Sequence, residues 1–201
     1  MYEVREVDID DDAILSDWSR VVDDVMRHDV PNQPPWRHEE LRGYHRLPWR
    51  TRAVAFFAAF SAGEMVGVAN TRCSLVDTPH LLNFELRVHP DHRRRRVGTA
   101  LLEKVIASAR DLGRSTLLVE AESPAHGGGP DVDPGGGFAA HHGFKPALVN
   151  HHRVLRLPLT ADLIDGLTRP DDDYEIVSWR DHLPEEWIED RARLAARMVT
   201  D

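Results

Sequence analysis

The stretch Val88-His-Pro-Asp-His-Arg-Arg-Arg-Arg-Val-Gly-Thr99 decides how the rest of the chain is read. Before it, Leu81 to Val88 has the composition of a strand, and Pro90 ends it. After it, Val97, Leu101, Val105, Ala109 and Leu112 recur at helical spacing, and Gly113 supplies a stop. A strand, a short link and a helix start bring free backbone N–H groups and the positive end of a helix dipole to one point, which suits a phosphate. Gly98 would let the backbone approach a ligand closely, and Arg93, Arg94, Arg95 and Arg96 add positive charge there. No Gly-Lys-Ser/Thr follows, which excludes a P-loop, and a lone glycine excludes a dinucleotide fingerprint.

Working outward, Arg52 to Phe60 is an almost continuous apolar run, as in a strand buried on both faces. Ser61-Ala-Gly-Glu64 predicts a turn, and Met65 to Ser74 a partner strand. Tyr2 to Asp8 alternates like a strand, and Ala13 to about Arg27 is a predicted helix. A second helix is predicted over residues 38–46, beyond the break at Pro34-Pro35. Towards the C-terminus, Ser115 to Ala121 is predicted as a strand and the glycine-rich run Gly127 to Gly137 as a loop. A short helix over Phe138 to His142 and a strand pair over residues 144–157 are predicted next. The class is α/β in the mixed, α+β sense.

The chain has 201 residues, 41% of them hydrophobic and 29% charged, as in ordinary globular proteins. No apolar run reaches the length of a membrane span, and the opening residues lack a signal-peptide core. The single cysteine, Cys73, has no internal partner and suits a reducing compartment, so a cytoplasmic location is expected. A net charge of −9 opposes nucleic-acid binding. A concentrated arginine patch in an acidic protein points instead to a small anionic ligand. His141-His142 and His151-His152 are adjacent pairs whose side chains diverge, so no metal site is expected.

The segment Glu85 to Leu102 resembles the GNAT superfamily of acyl-CoA-dependent N-acyltransferases. Their cofactor motif, Gln/Arg-x-x-Gly-x-Gly/Ala, is matched by Arg93 at its first position and Gly98 at its last. Arg96 replaces the middle glycine and brings a β-carbon to where the diphosphate would lie. Phe138-Ala-Ala-His-His-Gly-Phe144 is similar to a second landmark, aromatic-x-x-x-x-Gly-Phe; the tyrosine often found there, which protonates the leaving thiolate, is Ala139 here.

The resemblance implies a mostly antiparallel mixed sheet, splayed at the cofactor site and flanked by helices, with acetyl-CoA as cosubstrate. It implies that the backbone near Leu86 and Val88 binds the acetyl carbonyl and the pantetheine arm. Arg93 to Arg96, Val97, Gly98 and Thr99 would hold the diphosphate. The acceptor is a small-molecule or peptide primary amine that attacks the thioester directly. Glu85 is the candidate general base, against the reading that it pairs with Arg87 or lies on an exposed sheet face; Glu120 is the second candidate. The alternative is a weakened domain that binds acyl-CoA as a sensor or interaction module, which Arg96 and Ala139 favour.

Finally, Tyr174 to Trp179 echoes Tyr2 to Val7, and Trp187 echoes Trp18. The predicted division is a GNAT-like domain over residues 1–158, a linker over 159–173, and a strand plus helix over 174–201. That last part resembles the start of a second GNAT repeat. The chain would then belong with a missing second domain, or its tail would pack on this domain or on a neighbouring copy, as in a homodimer.

Overall fold

The computed structural model describes residues 2–31, 33, 37, 39–40, 42–43, 50–122, 133–151, 153, 155, 157–167 and 175–198. Two units are distinguished, Met1–Ala147 and Leu148–Asp201.

In the first unit, five strands form one sheet in the order β1-β2-β3-β4-β5. They are β1 Glu3–Glu6, β2 Arg52–Ser61, β3 Glu64–Ser74, β4 Leu81–Val88 and β5 Thr116–Leu118. The pairs from β1 to β4 are antiparallel, and β4 with β5 is parallel. The β2–β3 turn places Ala62 and Gly63 at φ 50° and 87°, the two left-handed residues of a turn whose twist matches the strands. Helix α1, Asp12–Asp29, starts where the Asp11 side chain accepts from the N–H groups of Ala13 and Ile14.

The sheet is the middle layer. On one face, Leu15, Trp18, Val21 and Val22 of α1 pack against Phe56, Ala58, Met65 and Val68. Trp18 and Phe56 meet edge to face at 5.5 Å. On the other face, Val97, Leu101, Leu102, Val105 and Ala109 of helix α2, Val97–Asp111, pack against Phe57, Ala59, Ala69, Leu82 and Phe84. Each Val, Leu, Phe or Met side chain among them contributes roughly 1.5–3 kcal/mol on burial. Cys73 lies buried in this second cluster as a small core residue.

Several predicted elements change. The strand predicted over Ser115 to Ala121 shortens to three residues, because β4 offers β5 only Leu81 to Asn83 as partners. The loop predicted over Gly127 to Gly137 falls partly outside the described residues, but Pro134–His141 is helix α3. Asp133 caps it by accepting from Gly136 N at 2.7 Å, and Pro134 is pre-set for a first helical turn. No strand forms over the described residues of 144–157, where Leu148, Val149, Leu155 and Leu157 stand exposed. Of the second helix predicted at 38–46, residues 38, 41 and 44–46 lie outside the described residues, and 39–40 and 42–43 are helical.

In the second unit, helix α4, Ala161–Leu167, stands within the predicted linker, started by Thr160, whose hydroxyl accepts from Leu163 N. Helix α5, Glu185–Met198, carries Trp187 as expected. Residues 175–179 form no strand. Their counterpart β1 is held by β2, and among the described residues of the tail no second strand does the same; Tyr174 lies outside the described residues. Among the described residues, no helix is long and apolar enough to cross a membrane.

Candidate functional site

The site begins where two strands part. The last β4–β5 pair is Asn83 with Leu118, yet β4 continues to Val88. His89 N–H donates to Val66 of β3, and His80 C=O accepts from Thr116 at the other edge. Backbone groups alternate between edges along a strand, so those of Leu86 and Val88 point away from β3, to the edge that β5 has left. This open edge is the splay expected of the sheet.

A 3₁₀ turn, Pro90–His92, then leads into the arginine loop. Arg94 and Arg96 hold φ of 60° and 66°, a region that costs a residue with a β-carbon about 1–2 kcal/mol. Arg96 is the N-cap of α2, and among the described residues no side chain caps that helix. The first-turn N–H groups of a 15-residue helix are therefore left to a ligand or water. Arg94, Arg95 and Arg96 are exposed beside them. An uncapped helix start, three guanidinium groups and an open strand edge fit an elongated ligand that ends in a diphosphate.

Arg93 behaves differently from its neighbours. Its Nε donates to the Val88 carbonyl at 3.1 Å, and its two terminal nitrogens donate to both carboxylate oxygens of Asp29 at 2.8 and 2.7 Å. The Arg93 guanidinium is thus paired with the last residue of α1. Burial would raise the Asp29 pKa, but hydrogen bonds and charge from Arg93 and His28 outweigh it and hold the carboxyl below its ordinary value. A second tie runs parallel, His89 Nε2 to Asp24 Oδ2 at 3.5 Å.

Gly98 also makes a packing contact that the sequence did not disclose. A β-carbon there would stand 3.1 Å from the Phe138 ring, so the glycine makes room for α3. Next to it, Thr99 Oγ1 and His142 Nε2 share a hydrogen bond at 3.3 Å. The Phe138 and His142 rings meet at a tilt, their centroids 4.5 Å apart. The two sequence landmarks are therefore in contact.

Glu85 lies on the α1 face of β4, opposite Asn70, and accepts from Arg87 at 2.6 Å. This is the ion pair that competed with its reading as a base. Glu120 is exposed beyond the end of β5. Sequence reasoning missed Asp24, Asp29 and the Phe138 contact. For Asp29 a signal existed: a carboxylate at a helix C-terminus opposes the dipole and calls for a cationic partner.

The profile of the Acetyltransferase (GNAT) family matches residues 21–127. The chain belongs to this family. Among solved structures, this GNAT chain is similar to a tandem GNAT protein from the clavulanic acid biosynthesis pathway, with TM-score 0.71 and 26% identity. The match covers 93% of this chain and 57% of that one, so the present chain spans little more than half of that protein. A PaiA N-acetyltransferase from Thermoplasma acidophilum in complex with coenzyme A matches with TM-score 0.55 and 15% identity, over 75% of this chain and 93% of that one. The aminoglycoside acetyltransferase AAC(6')-Iy, in complex with a CoA–acetylneamine bisubstrate analogue, matches with TM-score 0.53 and 16% identity, over 78% and 99%. These last two share the fold. No curated protein sequence matches the chain.

Proposed function

We propose that this chain is an N-acetyltransferase that moves the acetyl group of acetyl-CoA to a primary amine within a ternary complex. The observation that carries this reading is the uncapped start of α2 at the end of an open strand edge. In this reading the backbone of Arg94 to Thr99, with the guanidinium groups of Arg94, Arg95 and Arg96, holds the diphosphate. Leu86 and Val88 pair through their backbones with the pantetheine arm, and a backbone N–H there polarises the acetyl carbonyl.

Acetyl-CoA supplies an activated acyl group with a thiolate leaving group. The amine nitrogen forms the new bond to the carbonyl carbon and the carbon–sulfur bond breaks. The amine gives up a proton and the thiolate gains one. Glu85 is assigned the first proton, since it lies on the α1 face of the strand that lines the cofactor edge, and Glu120 is the second candidate. The acceptor is a small cationic or peptide amine. The match to a tandem protein supports a second GNAT domain alongside this one.

One specific observation favours a second reading. The Glu85–Arg87 ion pair at 2.6 Å engages the candidate base, and Ala139 leaves no acid at its position, as in a domain that binds acyl-CoA as a sensor. Two measurements separate the readings. Coenzyme A at about 100 times its Kd should stabilise the fold by roughly 2.7 kcal/mol. A panel of amines assayed for thiol release should show turnover that falls with Glu85→Gln. No melting shift with either acetyl-CoA or coenzyme A would sink both readings, and a shift with no turnover would favour the sensor.

A further inference from the structure

We propose that Arg93 and Asp29 form a clasp that sets the shape of the diphosphate loop, so that Arg93 positions the loop and is not itself a phosphate ligand. The inference rests on the coenzyme A reading given above.

Three of the guanidinium nitrogens of Arg93 are occupied within the protein. Nε holds the end of β4 through the Val88 carbonyl, and the terminal nitrogens grip both oxygens of Asp29. A two-pronged arginine–carboxylate pair fixes orientation as well as distance. It therefore ties three things together: the open edge, the last turn of α1, and the residue from which the loop departs.

That loop needs restraint. Arg94 and Arg96 both have positive φ, and such backbone persists only where its surroundings over-determine it. The clasp fixes the loop at its first residue, and the α2 helix fixes it at the last. His28 Nδ1 at 2.8 Å from the same carboxylate steadies the acceptor side, and the His89–Asp24 contact adds a second stitch along α1. The amides that follow Arg93 are thereby aimed before any ligand arrives. Preorganisation of this sort raises affinity without adding a contact to the ligand.

The direct-ligand and clasp roles make opposite predictions for one variant. Asp29→Asn would release the guanidinium of Arg93. If Arg93 were a phosphate ligand, coenzyme A would then bind more tightly. As a clasp, its loss weakens binding. We expect calorimetry with coenzyme A to show Kd raised about tenfold or more by Asp29→Asn, and by a similar factor in Arg93→Ala. The double variant should be no worse than either single one. In an Arg96→Gly background, where the loop needs less restraint, the Asp29→Asn effect should shrink. Unchanged or tighter binding by Asp29→Asn, or a lowered melting temperature with the same Kd, overturns the clasp. Wild-type protein that binds no coenzyme A overturns the underlying reading instead.

Discussion

A β-carbon on Gly98 would stand 3.1 Å from Cε2 of Phe138, and the ring of Phe138 fills the space that the glycine leaves. The cofactor motif and the second landmark are thus two halves of one packing contact. The start of α2 and helix α3 therefore pack directly on each other.

Gly98→Ala sets two effects against each other. Alanine in a helix gains about 0.5–1 kcal/mol over glycine, while crowding an aromatic ring costs typically 1–3 kcal/mol. The substitution should lower stability in the native background by roughly 1 kcal/mol. With Phe138→Ala in place, the same change should raise it. Urea denaturation of the four proteins of this cycle reads the reversal of sign, and a loss of equal size in both backgrounds would refute the packing role.

Arg96→Gly should stabilise the fold. The left-handed backbone at Arg96 costs a residue with a β-carbon about 1–2 kcal/mol. The more mobile unfolded glycine returns about 0.4–1 kcal/mol of that. A net gain of about 0.5–1 kcal/mol is expected from thermal denaturation. Arg96→Ala keeps the strain and should show no such gain.

Asp23 leads to a pH-dependent prediction. Its Oδ1 is buried without a hydrogen-bond partner. Burial raises its pKa above the ordinary 3.8, with Arg27 opposing the shift and Asp24 adding to it. A carboxyl that binds its proton more tightly when folded destabilises the fold above its folded pKa, and the penalty fades as pH falls toward the unfolded value. Asp23→Asn should therefore be more stable than wild type at pH 7, by no more than about 0.5 kcal/mol. The difference should vanish near pH 4 and below. Asp29, held below its ordinary value, has the opposite sign: its contribution is full at pH 7 and is lost as acid reaches its folded pKa.

Gly67→Ala should be more damaging than Gly98→Ala. A β-carbon there would meet Leu101 and Val97 at 3.1 Å and the Arg87 carbonyl at 3.2 Å. The carbonyl is part of the β3–β4 ladder and cannot retreat. A loss of about 1–3 kcal/mol is expected, seen as a lower urea midpoint with an unchanged slope.

The central hairpin, β4 and α2 were legible because their signals are local. Continuous apolar runs mark the strands buried on two faces, and the spacing of Val97, Leu101 and Val105 marks the helix. The start of α3 was hidden by Gly135 to Gly137, whose composition argues for a loop, although Asp133 and Pro134 together spell a helix start. The described residues of 144–157 were over-read, because an apolar stretch forms a strand only where a partner edge is available. At the site, the open edge and helix start could be inferred from order alone. The Arg93–Asp29 pair could not, since its partners lie 64 residues apart and charge patterns do not disclose which carboxylate an arginine will face.

The row of backbone groups that β4 leaves open past Asn83 carries a hazard as well as a use. An unpaired strand is a template on which another chain can build, the first step of edge-to-edge aggregation. Here the exposed length is short, Glu85 and Arg87 place charge on it, and Pro90 closes its far end. An extended pantetheine arm lying along that edge would occupy the position a foreign strand needs. The ligand would then act as a guard of solubility, and concentrated protein should stay monodisperse longer with coenzyme A than without it.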